Sequence, residues 1–352
     1  MRHRAVCGGT RALAVAVAVA LGLTGCSSDG DSSSASTTPS ASATTALEGS
    51  GPSTAAPGPS TSVSGERTTT TRAESRDPLG SAEAVAAVIT SAERAIRDTS
   101  LTDDEVSAWG RSQQRAYQAL ARRPEWDEAV RALLPTDVLV AFDHIVEARR
   151  SVADHAARRA EERPPDAEPP QPVRTLPVWR IVEPLPPDEL LELYRSAEAT
   201  TGVPWAYLAA INLMETRMGR IQGVSSAGAV GPMQFLPSTW EACCVGDPLN
   251  PADAIMGAAV YLVDRGAPED MLGALYGYNP NDGYVGAVDA YARLMLADEL
   301  AYRGFHAWEV YVGSEAGTIR LPVGYAAAAP ISATAYALAY PDDVAPLTPE
   351  RP

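Results

Sequence analysis

No lysine occurs among the 352 residues, so every basic side chain is an arginine, and the net charge of -16 leaves the chain strongly acidic. Such a chain repels phosphate backbones, and its arginines are scattered among acids instead of forming a stripe, which excludes nucleic acid as a partner. The missing lysine and the abundant alanine are read as genome composition, not chemistry. Cysteine is nearly as scarce. Of the four, Cys7 and Cys26 fall in an N-terminal leader, which leaves Cys243 and Cys244. Neighbours in sequence rarely bridge each other because the geometry strains the backbone, so no disulfide framework is expected. Two adjacent thiols without a second pair or clustered histidines do not make a tetrahedral metal site either. They are read as small buried residues.

What is present divides into segments. Arg2, Arg4 and Arg11 form a basic start, Ala12 to Leu21 an apolar run too short to stay in a membrane, and Leu23, Thr24, Gly25 and Cys26 close it. Residues 1–26 are read as a secretion signal whose ending resembles the bacterial lipobox, with Cys26 as the lipidated first residue of the mature chain. From 27 to 77 the sequence is almost all Ser, Thr, Ala, Gly and Pro. That composition buries too little apolar surface to fold and makes a disordered tether, spanning roughly 40 Å if flexible. The expected location is the outer face of the cytoplasmic membrane or the cell envelope, held by the lipid at Cys26.

The 45% hydrophobic content is ordinary for a globular protein of one or two domains. Between 78 and 163 the pattern is helical. Val85, Val88, Ile89, Ala92 and Ile96 recur at three and four residues, as do Trp109, Tyr117 and Leu120, and Pro124 and Pro135 open two further helices. This accessory module carries no catalytic motif, and His144 and His155, eleven residues apart, are read as packing or surface residues. A Pro-rich linker, 164–186, follows. The second module, 187–325, again reads as helices, at Asp188–Thr200, after Pro204, after Pro251, at Pro268–Tyr276 and at Gly283–Ala297. A small β-hairpin is expected near the C-terminus, from Tyr311–Val312 and Thr318–Leu321, and residues 326–352 are expected to be loosely ordered.

Glu215 stands where an apolar residue is expected, in register with Leu208, Ile211 and Met218. Burial raises a carboxyl pKa, and an acid that keeps its proton near neutral pH is what cleavage of a glycosidic bond requires. The bland reading, a Glu paired with Arg217 or Arg220, stays open on helix geometry alone. Past Gly219 comes a loop of small residues, Ser225 to Gly231, leading to Pro232, Met233, Gln234 and Phe235. Glycines there let a polar polymer approach the backbone, and Gln234 can both donate and accept.

Three segments in order, Met214 to Gly219, Ser226 to Pro237, and Tyr278 with Asn279, resemble the signature segments of the lytic transglycosylases, in a secreted lipoprotein of actinobacterial type. The resemblance covers about Pro187 to Leu296. It implies a mainly α fold: a goose-type-lysozyme-like helical catalytic domain, here preceded by the helical accessory module. It also implies a substrate, the glycan strand of peptidoglycan, cut between N-acetylmuramic acid and N-acetylglucosamine. Glu215 would be the catalytic acid, then base, with the sugar's acetamido group standing in for a second carboxylate. None of Glu241, Asp247, Asp253 or Asp264 is nominated, and Asp247 and Asp253 are read as loop and helix-start residues. Ser226, Gly228, Met233, Gln234, Tyr278 and Asn279 would bind substrate. For Tyr278 a core position bonded to a backbone carbonyl is the alternative. Pro280, Asn281 and Asp282 depart from the small residues usual after the asparagine. No metal is expected, because Asn279, Asn281 and Gly283 lack the acidic alternation and terminal Glu of a calcium loop, and no cofactor is expected. Two other readings are a hydrolytic muramidase on the same fold and a non-catalytic glycan-binding scaffold. The partners expected are peptidoglycan, the membrane through Cys26, and cell-wall or division proteins through the helical module.

Overall fold

A computed structural model describes residues 78–168 and 170–345; the signal, the tether, Cys26 and the last residues lie outside them. No helix among the described residues is long and apolar enough to cross a membrane. The chain begins with α1 (Ala82–Ile96) and α2 (Asp103–Ala121), both started by side-chain caps. At α2 the Thr102 hydroxyl accepts from the Glu105 amide while the Glu105 carboxylate accepts from the Thr102 amide, closing a capping box. A 3-10 turn at Pro124–Trp126 leads into α3 (Asp127–Leu133), and the long α4 (Leu139–Glu161) follows.

Two short strands, β1 (Thr175–Leu176) and β2 (Arg180–Ile181), precede α5 (Pro187–Thr201) and α6 (Trp205–Thr216). Then come β3 (Ile221–Gln222), α7 (Pro237–Cys243), α8 (Pro251–Val263), α9 (Met271–Tyr278), α10 (Asp282–Ala297) and α11 (Ala301–His306). The chain closes with β4 (Val310–Ser314), β5 (Gly317–Leu321), β6 (Ile331–Ser332), α12 (Ala333–Ala339) and β7 (Val344–Ala345). The fold is mainly helical and lysozyme-like, with small antiparallel strand pairs.

The core explains the architecture. α6 has apolar residues on every side and is buried nearly all round, so it forms the axis on which other helices pack instead of presenting one stripe. α10 lies against α6 on one side and along α4 on the other. One continuous apolar cluster therefore joins Ile89, Leu120 and Phe142 of the first helices to Leu208 and Ile211 of α6 and to Tyr291 of α10. The approach of α4 to α10 depends on glycine: a Cβ on Gly283 would meet the His155 Cβ at 2.7 Å and the Ser151 carbonyl at 2.9 Å.

Four features differ from the sequence-based expectation. The hairpin is present as β4–β5, from Val310↔Leu321 to Ser314↔Gly317, with β7 added beside β5. The Pro-rich stretch, however, supplies β1 and β2, which pair with β6 and β3, and part of the tail expected to be loose forms β6, α12 and β7 over a second apolar cluster that includes Ile181, Ile319 and Tyr336. Strands of two residues have no alternating pattern to read, and their partners lie far away in sequence. The helix after Pro204, read as lasting until the loop past Gly219, stops at Thr216. Cys243 and Cys244, expected to be free and buried, are half-buried and joined in a disulfide. The chain leaves α7 between them, Cys244 being extended, which turns the two sulfurs toward each other.

Candidate active site

Glu215 sits in the last turn of α6 and is 6% exposed. Burial pushes its carboxyl up to about 7, against the ordinary 4.5, and the nearby Tyr284 hydroxyl offsets this only in part. The Tyr284 hydroxyl closes no hydrogen bond of ordinary geometry. No arginine among the described residues forms an ion pair with Glu215, so neither the Arg217 nor the Arg220 pairing is found: Arg217 donates to the Leu213 carbonyl, and Arg220 to Glu183 and the His306 carbonyl. The site thus holds a proton to near-neutral pH.

The loop opposite is built tightly. Its first turn is fixed by Gly228 N–H donating to the Ser225 carbonyl (2.9 Å), Ser225 N–H to the Ala229 carbonyl (3.0 Å) and Ala229 N–H to the Ser225 hydroxyl (2.9 Å). Val230 and Phe235 then exchange backbone bonds of 2.9 and 3.0 Å around a hairpin. At Gly231 (φ 76°) a Cβ would lie 1.9 Å from the Pro248 carbonyl oxygen, so only glycine fits. Phe235 anchors the loop in an edge-to-face cluster with Trp240, Tyr261 and Tyr278.

The residues nominated from sequence take different positions. Ser226 is exposed and Gly228 has open space where a side chain would go. Gln234 is half-buried, with its amide donating to the Gly231 carbonyl at 2.9 Å. Met233 does not line an open surface: its side chain is fully buried in the core, and its carbonyl accepts the Tyr278 hydroxyl at 2.6 Å. Tyr278 therefore takes the backbone-bonded alternative, yet stays close enough to Glu215 that the carboxylate, after burial, helps push its hydroxyl well above the usual tyrosine range. Asn279 is buried at the end of α9. Asn281 caps α10, its side chain accepting from the Tyr284 amide at 3.0 Å. Asp253 accepts from the Asp247 amide at 2.9 Å, a loop and helix-start arrangement. A recess of about 550 Å³ lined by α3 and α4, including Asp127, Asp143 and Arg150, does not include Glu215.

Two contributors escaped sequence reasoning. Tyr284 faces the acid from the first turn of α10, and nothing in its spacing marks it. Asn212, three residues before Glu215 in an otherwise apolar helix, is 1% exposed, and a polar residue in such a helix was the available signal.

A buried carboxyl with no ion-pair partner among the described residues thus sits beside a small-residue loop on a mainly helical core. Residues 192–294 match the family model described as Transglycosylase SLT domain, a likeness that supports a lytic-transglycosylase-type, peptidoglycan-acting function for this part of the chain. No curated protein and no solved structure matches the chain.

Proposed function

We propose that the protein is a peptidoglycan lytic transglycosylase in which Glu215 is first acid, then base. The protonated carboxyl gives its hydrogen to the oxygen joining N-acetylmuramic acid to N-acetylglucosamine, and that bond breaks as the acetamido oxygen stabilises the cationic C1. The carboxylate then takes the proton of the same sugar's C6 hydroxyl, whose oxygen bonds to C1 and closes a 1,6-anhydro ring. Ser226, Gly228 and Gln234 of the acid's loop contact the glycan, while Asn279, buried at the end of α9, and Tyr278 support that loop from below. The observation that carries the reading is Glu215 itself: buried, without an arginine partner, and with its pKa raised to about 7.

The location follows from the sequence reading. We place the protein outside the cytoplasmic membrane, exported by residues 1–26, anchored through a lipid on Cys26 and held off the membrane by the tether, with the helical module offered to cell-wall or division proteins.

Digestion of purified sacculi, with mass analysis of the released muropeptides, tests the chemistry. Products lacking one water relative to a reducing-end muropeptide support it. Products with the full reducing end identify water as the nucleophile and a muramidase instead. Binding to sacculi with no soluble fragments overturns the enzymatic reading.

A further inference from the structure

Directly after Glu215 the backbone does something costly. Arg217, Met218 and Gly219 all lie in the left-handed region, with φ of 54°, 61° and 85°. L-residues rarely stay there, and two of these three carry side chains; such a turn persists only where its surroundings over-determine it.

The surroundings are a closed polar network. The Tyr194 hydroxyl donates to Asn212 Oδ1 at 2.6 Å. Asn212 Nδ2 donates to Thr216 Oγ1 at 3.0 Å and to the Pro232 carbonyl at 2.8 Å. Thr216 Oγ1 donates to the same Pro232 carbonyl at 2.6 Å and accepts from the Gly219 amide at 3.1 Å. The Met218 amide donates back to the Asn212 carbonyl at 3.2 Å. Tyr194, Asn212 and Thr216 are each at most 1% exposed. Both hydrogens of the Asn212 amide and its oxygen are used, as a buried polar group requires. None of these groups touches the Glu215 carboxyl. They tie the helix end that carries it to Pro232, whose neighbour Met233 holds Tyr278, which in turn faces the acid.

We propose that Asn212 and Thr216, backed by Tyr194, are positioning residues that hold the left-handed turn and the Pro232 loop in one register, and so hold Glu215 in its dry place. This rests on the reading of Glu215 as the acid. An apolar residue at 212 would pack in an apolar helix equally well, which makes the polar choice a matter of geometry instead of burial.

The test compares full-chain variants on soluble glycan strands across a pH series, with thermal melts confirming that each is folded. Thr216→Val keeps shape and loses the hydroxyl; Thr216→Ser keeps the hydroxyl. Expected is a fall in kcat of about 10–100-fold for Thr216→Val and Asn212→Leu, with KM nearly unchanged, and near-wild-type kcat for Thr216→Ser. The alkaline limb of the rate profile should also move to lower pH in the two impaired variants, because a loosened turn lets water reach the carboxyl. Tyr194→Phe gives a milder version of the same change and serves if the others fail to fold. Wild-type kcat and an unmoved limb in folded variants overturn the proposal, as does a Thr216→Ser protein as impaired as Thr216→Val. If Glu215→Gln keeps turnover, the acid assignment is what fails; if it is inactive while the network variants are wild-type, only the positioning role falls.

Discussion

Among the described residues two glutamates are buried in helices, and their surroundings differ. Glu93 in α1 is 1% exposed; one carboxylate oxygen accepts from Gln113 and the buried Tyr117 hydroxyl, and the other from Arg97 at 2.6 Å. Gln113 is held in turn by Trp308, and Arg97 by Asp298. Glu215 is buried almost as deeply, but has the Tyr284 and Tyr278 hydroxyls close by and, among the described residues, no ion-pair partner. The first arrangement satisfies a charge; the second withholds what a charge needs. Burial alone therefore does not single out the acid proposed for catalysis, whereas burial without an ion-pair partner does.

Replacing each residue should separate them most sharply. Glu215→Gln should lower turnover by about 10³-fold or more, since shape is kept and the transferable proton is lost. The same change should stabilise the fold at alkaline pH. The folded pKa of about 7 lies above the ordinary 4.5, so the folded state binds the proton more tightly than the unfolded chain does. The penalty for ionising Glu215 is absent below about 4.5, grows as pH rises, and is complete above about 7, where it corresponds to roughly 3 kcal/mol. Denaturation at pH 4 and pH 8 measures it: Glu215→Gln should match wild type at the first and exceed it at the second. Wild-type activity should decline as pH rises through about 7, because the acid form is lost. A Glu215→Gln protein that matches wild type in stability at both pH values would place the carboxyl in water.

Glu93→Ala should behave in the opposite way, costing about 3–5 kcal/mol near neutral pH because Gln113, Tyr117 and Arg97 lose a shared buried acceptor. The lower end is expected, since Arg97 keeps Asp298. Turnover per folded molecule should be preserved. Urea denaturation together with activity below the transition checks both halves, and a large loss of turnover at unchanged stability would erase the distinction between the two glutamates.

The two regions meet where α4 lies on α10, and there the contrast can be broken mechanically. Gly283→Ala puts a methyl against a backbone carbonyl and the His155 Cβ. Overpacking of this kind costs about 1–3 kcal/mol. Because Tyr284 is the next residue, activity should fall as well, linking the first helices to the acid. A melt and a rate measurement suffice; loss of neither would mean that α4 yields without moving α10.

How much of this was readable in advance follows from what each feature depends on. α1, α4 and α10 announced themselves through apolar residues at helical spacing, and the acid and its loop through residue types whose order is unusual. The stripe through Leu208 and Ile211 was only part of the truth, because α6 is buried on every face and one stripe cannot show that. Thr175–Leu176 and Ile331–Ser332 define each other only once folded, since each is too short to carry a pattern and lies more than a hundred residues from its partner. The same holds for Tyr194 with Asn212: either residue alone is ordinary, and only the packing of α5 on α6 makes them a pair. Met233 shows the converse, a residue whose motif position suggested contact with substrate while its side chain fills the core.

The finest test of the contrast removes the hydroxyl that lowers the Glu215 pKa. Tyr284→Phe deletes a hydroxyl that pulls the carboxyl pKa down and closes no hydrogen bond of ordinary geometry, so stability should scarcely change. With that influence gone the acid should hold its proton more strongly, and the alkaline limb of the rate profile should move to higher pH. This is opposite in direction to the shift expected from Asn212→Leu, which opens the site to water. Measured side by side, the two variants distinguish a hydroxyl acting on the carboxylate's charge from a network acting on its place. A Tyr284→Phe limb that stays fixed would mean that burial alone sets the acid's strength, and the comparison with Glu93 would then rest wholly on the missing cation.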